Sequence, residues 1–182
     1  MTVAIPSNYP NQTWIYWDNS NYKSSSDDLS INFAVTGKPL LYASAPSSGT
    51  ATYSGGMEGY FSNTSSKYNS YNGHLSGDSS FSVNWGAGTI SGSFTNITET
   101  VGSSTYSFNN LTMPSTSISS STYGDYASFE GDLQGTGFST NIYTAIHGVF
   151  FGSSAESIGG TWDIQNDGAT GSGAGYFAAG KD

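Results

Sequence analysis

The residue types best suited to hold a ligand occur together in the stretch "SSKYNSYNGHLSGD", residues 65–78. It contains His74, one of two histidines in the chain, shortly after Tyr68 and Tyr71. An imidazole nitrogen can bind a metal or haem iron, and a tyrosine can ligate ferric iron or stack on a porphyrin. We interpret the stretch as a loop in which His74, Tyr68 and Tyr71 are candidate haem-binding residues. The alternative is an ordinary polar loop.

A second group of candidate binding residues lies near the N-terminus, in "TWIYW". In an extended strand, Trp14 and Tyr16 share one face and Trp17 lies on the other. Tryptophan and tyrosine are enriched at the energetic centres of protein interfaces. We expect one face to dock on the rest of the protein, and the other to be partly exposed and available for a flat ligand or a protein partner.

The sequence gives little reason to expect an enzyme. It has no G-x-S-x-G, H-E-x-x-H or phosphate-binding loop. Glu130 and Asp132 fall on the same side of a predicted strand, but nothing distinguishes them from a solvated face, and a glycosidase would require two carboxylates flanking a cleft. The remaining histidine, His147, is interpreted as a half-exposed strand residue opposite the core-facing Ile146 and Phe150. A haem or metal ligand is the alternative.

Composition narrows the partners further. The 182 residues include four lysines, no arginine and thirteen carboxylates, for a net charge of −9. Nucleic acid and anionic membrane surfaces are therefore unlikely partners, because both recruit basic residues. The absence of cysteine excludes disulfides and thiolate metal sites. We find no signal peptide and no run of apolar residues long enough for a spanning helix, so direct membrane insertion is not expected.

The elements that must position these residues are strands. In "FSVNWGAGTISGSF", apolar residues alternate with polar ones on both sides of a glycine-bearing turn, which is typical of a β-hairpin. The same pattern predicts eight strands, and closure into a barrel would remove their exposed edges. The predicted strands are Ala51–Phe61, Asp78–Trp85, Thr89–Asn96, Thr105–Thr112, Ala127–Leu133, Thr144–Phe151, Ile158–Ile164 and Gly173–Phe177.

The sequence thus predicts an all-β protein, an eight-stranded antiparallel up-and-down β-barrel with a small N-terminal β extension. Residues 1–49 would form a short β segment, since "TWIYW" and "LSINFAV" each look like a strand. Residues 50–182 would form the barrel. Two or three strands make a marginal unit alone, so the N-terminal segment should pack against the barrel.

Four blocks in this order resemble the barrel domain of bacterial transferrin-binding protein B and related solute-binding surface proteins. They are "GTATYSGGMEGYF", "SFSVNWGAGTISGSFTN", "GVFFGSSAESIGGTWDI" and "GSGAGYFAAGKD". The resemblance covers roughly residues 49–182, and the block from Gly148 to Thr161 is its most specific part. In that block, a serine at 153 or 154 is expected to cap a single turn around Ala155 and Glu156, with the Glu156 carboxylate near the positive end of the turn.

The resemblance implies a non-enzymatic binding protein of the iron- or haem-acquisition type, secreted or displayed on the bacterial outer membrane. Its implied partners are haem or a host iron-carrier protein, together with an outer-membrane receptor or translocator. Haem is the cofactor implied by this comparison. Residues 1–49 would correspond to a shortened N-terminal handle. The alternative is a surface barrel that binds a protein or glycan, or that serves as a structural module of a larger exported protein.

Overall fold

The computed structural model describes residues 2–4, 12–18, 31–63, 71–122, 124–135, 142–166 and 172–182. Within these ranges the chain is almost entirely β-strand, with one 3-10 turn at Tyr42–Ser44 and no helix long and apolar enough to cross a membrane. The strands are Thr2–Ala4 (β1), Gln12–Asp18 (β2), Ile31–Gly37 (β3), Thr50–Asn63 (β4), Tyr71–Asn84 (β5), Thr89–Val101 (β6), Ser104–Ser107 (β7), Leu111–Ser120 (β8), Ala127–Gly131 (β9), Gln134–Gly135 (β10), Ile142–Phe151 (β11), Ser157–Asn166 (β12) and Ser172–Lys181 (β13).

Eight of these strands close into an antiparallel barrel. Their order around the wall is β4, β5, β6, β8, β9, β11, β12 and β13, and β13 pairs back onto β4. The short β7 extends the pairing along β6, and β10 extends it along β8. β1, β2 and β3 form a separate antiparallel sheet, and β3 lies beside β12 and β13. The predicted all-β fold, an eight-stranded up-and-down barrel with an N-terminal β extension, is confirmed.

In the barrel wall, buried aromatic rings lie beside glycines on the neighbouring strands. A Cβ atom placed on Gly92 would overlap the Phe81 ring, and one on Gly148 would overlap Phe129. The buried rings can therefore lie flat over the neighbouring backbone, an arrangement that compensates for glycine in a curved sheet. Directly opposed pairs of this kind are Phe81–Gly92, Phe129–Gly148 and Trp162–Gly175.

Two sequence predictions about loops are wrong. In the stretch 65–78, interpreted as a loop around His74, residues 71–78 belong to β5, which starts at Tyr71 rather than Asp78, and residues 65–70 lie outside the described part of the chain. The predicted strand Thr105–Thr112 is interrupted, and the Ser-rich stretch "PSTSISSSTYGDY" after it, whose lack of periodicity predicts a loop, is part of β8 as far as Ser120. The pairing of β6 with β8 shifts register between Met113 and Thr116, next to Pro114. Before the bulge the buried position Met113 has an odd number, and after it the buried position Ile118 has an even number. The bulge therefore hides the period-two pattern in the sequence.

The segment before β4 is tied into one end of the barrel. Leu40 is buried in the core, its N–H donates to the carbonyl of Phe150, and its own carbonyl accepts from the N–H of Ala127. Since Phe150 is the penultimate residue of β11 and Ala127 begins β9, this segment fills the space between those strands at their ends. The barrel core thus includes a residue from the linker that follows the small sheet.

In the turn of the "GSSAES" motif, the carboxylate lies at the turn as predicted, but the cap is not a serine. The Glu156 carboxylate accepts hydrogen bonds from the N–H of Ser154 (3.0 Å) and the hydroxyl of Ser153 (3.3 Å). The bond from the Ser154 N–H is the main cause of a lowered pKa for Glu156. Ala155 adopts a positive φ of 56°, and its carbonyl accepts from the Tyr53 hydroxyl at 2.8 Å. The acidic side chain, rather than a serine, therefore caps this turn.

Candidate functional site

Most of the predicted binding residues cannot be assembled into one site. Tyr68 lies outside the described residues, and Tyr71 is described only as the first residue of β5, opposite Asn63. Trp14, Tyr16 and Trp17 lie on β2, paired with β3, and their side chains are also outside the described part of the chain. A binding role for these residues stays a prediction.

Among the predicted binding residues, His74 is the one whose side chain and surroundings the structure describes. Its imidazole Nε2 lies 3.9 Å from the Oε2 atom of Glu58, and the two side chains are 41 % and 52 % exposed. The same carboxylate oxygen accepts a 2.6 Å hydrogen bond from the hydroxyl of Tyr176. The Tyr60 ring meets the imidazole edge-on, with 5.3 Å between ring centroids. We call Glu58, Tyr60, His74 and Tyr176 the outer cluster.

Strand alternation explains why the outer cluster faces outward. On β4, Met57, Gly59 and Phe61 are buried, which directs Glu58 and Tyr60 to the outer surface. On β13, the buried Gly175 and Phe177 likewise direct Tyr176 outward. The barrel register then places Tyr176 opposite Glu58, and Tyr60 opposite His74. The cluster is therefore fixed by three consecutive strands of the wall, β13, β4 and β5.

The outer cluster is also electrostatically coupled. Burial, followed by the hydrogen bond and the negative charge of Glu58, raises the pKa of Tyr176, and Tyr60 contributes in the same direction. The Tyr176 phenol is thus held firmly in its protonated form, donating to the carboxylate. Sequence reasoning missed Glu58, Tyr60 and Tyr176. Their outward positions follow from alternation, but their proximity depends on a pairing between the first and last strands of the barrel.

A second histidine–carboxylate pair lies elsewhere on the outer surface. His147 Nδ1 is 3.8 Å from Glu130 Oε2, and the side chains are 51 % and 76 % exposed. On β12, burial raises the pKa of Asp163, and the nearby His147 opposes that shift. His147 is therefore a partly exposed strand residue, as the alternation predicts. Among the described residues, no group of three or more histidine, aspartate or glutamate side chains is arranged to hold a metal.

A groove of about 390 Å³ opens at the barrel end that carries the short turns. It is lined by Tyr42, residues 45–47, the turn 85–88 and Ile118. Trp85 is 7 % exposed, and its indole Nε1 has no hydrogen-bond partner among the described residues. Since His74 and Trp85 are eleven residues apart along β5 and the turn that follows it, the groove lies about 35 Å from the outer cluster. The two features are separate.

Comparison with known proteins decides the family. A model of the C-lobe and N-lobe beta barrels of Tf-binding protein B matches residues 45–181. The chain belongs to this family. The resemblance predicted from the four sequence blocks is therefore confirmed. No curated protein matches the chain.

Solved structures of transferrin-binding protein B share the fold. A mutant from Haemophilus parasuis Hp5 is 17 % identical with a TM-score of 0.64, covering 96 % of this chain and 33 % of that one. The isotype 1 protein from serogroup B Neisseria meningitidis is 18 % identical with a TM-score of 0.58, covering 97 % and 32 %. A surface lipoprotein is 12 % identical with a TM-score of 0.53, covering 98 % and 79 %. The chain spans about one third of the length of the first two proteins.

Proposed function

We propose that the chain is the barrel-bearing part of a bacterial surface protein that binds a host iron-carrier protein of the transferrin class. The observation that carries the proposal is the family match over residues 45–181, which coincides with the closed barrel. The small sheet formed by β1, β2 and β3 supports it, because β3 lies beside β12 and β13 and because Trp14, Tyr16 and Trp17, the predicted binding residues, belong to its strand β2. We assign partner contacts to this sheet and display to the bacterial outer surface.

Binding to immobilised transferrin tests the proposal directly. We expect saturable binding of iron-loaded transferrin in biolayer interferometry, and none to serum albumin. Replacing Trp14, Tyr16 and Trp17 together by alanine should weaken binding at least tenfold, because aromatic side chains dominate interface energies. Tyr106→Phe, on the exposed β7 of the barrel, is the matched control and should bind like the unmodified protein. Transferrins from several hosts that all fail to bind would contradict the proposal.

A hemin titration examines the ligand predicted for His74, Tyr68 and Tyr71. Haem binding through His74 requires a shift of the Soret band that is lost in His74→Ala and kept in His147→Ala. An unchanged spectrum at micromolar protein removes haem from the function. Because the transferrin measurement uses a different ligand, its outcome does not depend on this result.

A further inference from the structure

We propose that Glu58, His74 and Tyr176 bind a ferric ion on the outer face of the barrel, beside Tyr60. The site goes beyond partner binding, because it would hold the bare ion rather than a carrier protein. Its donors would be one carboxylate, one imidazole and one phenolate. The proposal rests on the convergence of these three side chains at a single carboxylate oxygen.

The distances are close to those of a coordination sphere. Metal bonds to nitrogen and oxygen ligands of about 2.0–2.2 Å place neighbouring donor atoms about 3 Å apart. The Tyr176 hydroxyl is already 2.6 Å from Glu58 Oε2. The His74 Nε2 atom, at 3.9 Å, must approach by about 1 Å, and the partial exposure of both side chains leaves them room to rotate. The edge-on Tyr60 ring limits the orientations that the imidazole can adopt.

The backbone that carries the donors is rigid. Each donor alternates with a fully buried neighbour: Glu58 with Met57, His74 with Leu75, and Tyr176 with Phe177. These neighbours pack in the barrel core, so the strands cannot twist without disrupting it. A site built on regular strands holds its geometry better than one built on loops. Ion binding therefore requires only side-chain rotation.

The donor set favours a trivalent ion. It offers two oxygens and one nitrogen, and the chain contains no cysteine. The Tyr176 hydroxyl uses its proton to donate a hydrogen bond to Glu58 Oε2. An ion must displace the phenol proton, which passes to solvent, before it can use Tyr176 as a ligand. Ferric iron has the charge to do so, whereas a divalent ion would be left with His74 and Glu58 alone.

The second histidine–carboxylate pair provides an internal control. His147 and Glu130 lie 3.8 Å apart, almost the same separation as in the outer cluster. No tyrosine hydrogen bond to Glu130 occurs among the described contacts. If an exposed imidazole and carboxylate were enough to hold ferric iron, both pairs would bind it. If the phenol is required, only the outer cluster will.

The experiment is a titration of the full chain with ferric iron supplied as its nitrilotriacetate complex. We expect one equivalent to produce the visible absorbance of phenolate-to-iron charge transfer. Tyr176→Phe should abolish this band, and Glu58→Gln or His74→Ala should weaken iron binding at least tenfold. The band and the affinity for iron should both be unchanged in three control variants, His147→Ala, Glu130→Gln and Tyr106→Phe. Circular dichroism would establish that every variant is folded.

Three results would overturn the site: no band in the unmodified protein, a band that persists in Tyr176→Phe, or a band lost equally in His147→Ala. A zinc titration adds a further check, since zinc affinity should fall in His74→Ala but not in Tyr176→Phe. Transferrin binding by the same variants separates the two proposals. If the unmodified protein binds transferrin but shows no band, only the iron site is contradicted. If it shows the band but does not bind transferrin, only the partner function is contradicted.

Discussion

The inner and outer faces of the same barrel wall differ in how tightly each residue is constrained. On β5, Leu75, Phe81 and Val83 are buried among rings and aliphatic side chains, while the intervening His74 and Ser82 face outward. Inside, an added methyl group at several glycines would overlap a ring or a carbonyl. Outside, the histidine and carboxylate side chains are partly exposed and lie 3.8–3.9 Å from one another within each pair. The inner face determines the barrel, which leaves the outer face available for binding chemistry.

The largest effect should come from adding one carbon to the inner face. In Gly55→Ala, the new Cβ would overlap the carbonyl oxygen of Ala178, a backbone atom that cannot rotate away. We expect a loss of at least about 4 kcal/mol of unfolding free energy, or no folded protein. Gly56→Ala is the matched control, because its new Cβ would come no closer than 3.6 Å to another atom. Urea unfolding of both variants is the measurement, and equal midpoints would contradict the contrast between faces.

Removing the largest buried ring should have the next largest effect. Trp162, on β12, is fully buried and lies over Gly175 on the neighbouring β13 and over Gly59 on β4, the strand beyond it. Truncation of a core tryptophan to alanine costs about 3–5 kcal/mol. Trp162→Phe should cost much less, because it keeps a ring over the glycines and removes an indole N–H that has no partner among the described residues. Thr161→Ala, on the outer face, should change stability by less than about 0.5 kcal/mol. Similar losses for all three would show that the ring does not support the wall.

The same contrast explains what sequence could predict. The β5–β6 hairpin was evident because Phe81, Val83 and Trp85 alternate with polar residues on one strand. In β8, the bulge beside Pro114 breaks the alternation, so that the sequence pattern predicts a loop where the structure has a strand. The outer cluster was missed for another reason: Glu58 and Tyr176 are separated by 118 residues, and only barrel closure brings them together. Local periodicity predicts inward positions, whereas outer neighbours depend on the register between strands.

Tyr53 connects the inner face to the turn of the "GSSAES" motif and should have an intermediate effect. Tyr53→Phe removes its hydrogen bond to the Ala155 carbonyl, at a cost of about 1–2 kcal/mol near neutral pH. Tyr106→Phe, which removes an exposed hydroxyl, should cost almost nothing.

The Tyr53 contribution should also depend on pH. Burial raises the pKa of Tyr53 in the folded state, with the Glu156 charge adding to the shift. Above pH 10, the unfolded chain loses this proton while the folded chain keeps it, so the stability present below that pH declines by up to about 1.4 kcal/mol per pH unit. Tyr53→Phe should make the alkaline decline shallower in pH-dependent urea unfolding. A slope identical to that of the unmodified protein would mean that Tyr53 ionises equally in both states.

The smallest effects should come from the outer pairs. Double-mutant cycles on His147–Glu130 and on His74–Glu58 should each give a coupling of about 1 kcal/mol or less, because exposed pairs gain little in water. Both couplings should shrink as salt is raised to 1 M, where screening acts within about 3 Å. At 1 M salt, the His74–Glu58 pair should keep a larger fraction of its coupling energy than the His147–Glu130 pair, because the Glu58 carboxylate is also bound by the Tyr176 hydroxyl. When the His74–Glu58 cycle is repeated in the Tyr176→Phe variant, the two pairs should lose the same fraction of their coupling energy at high salt. A coupling above about 2 kcal/mol in either pair would show that the outer face also stabilises the barrel, and binding residues there could then not be exchanged independently of the fold.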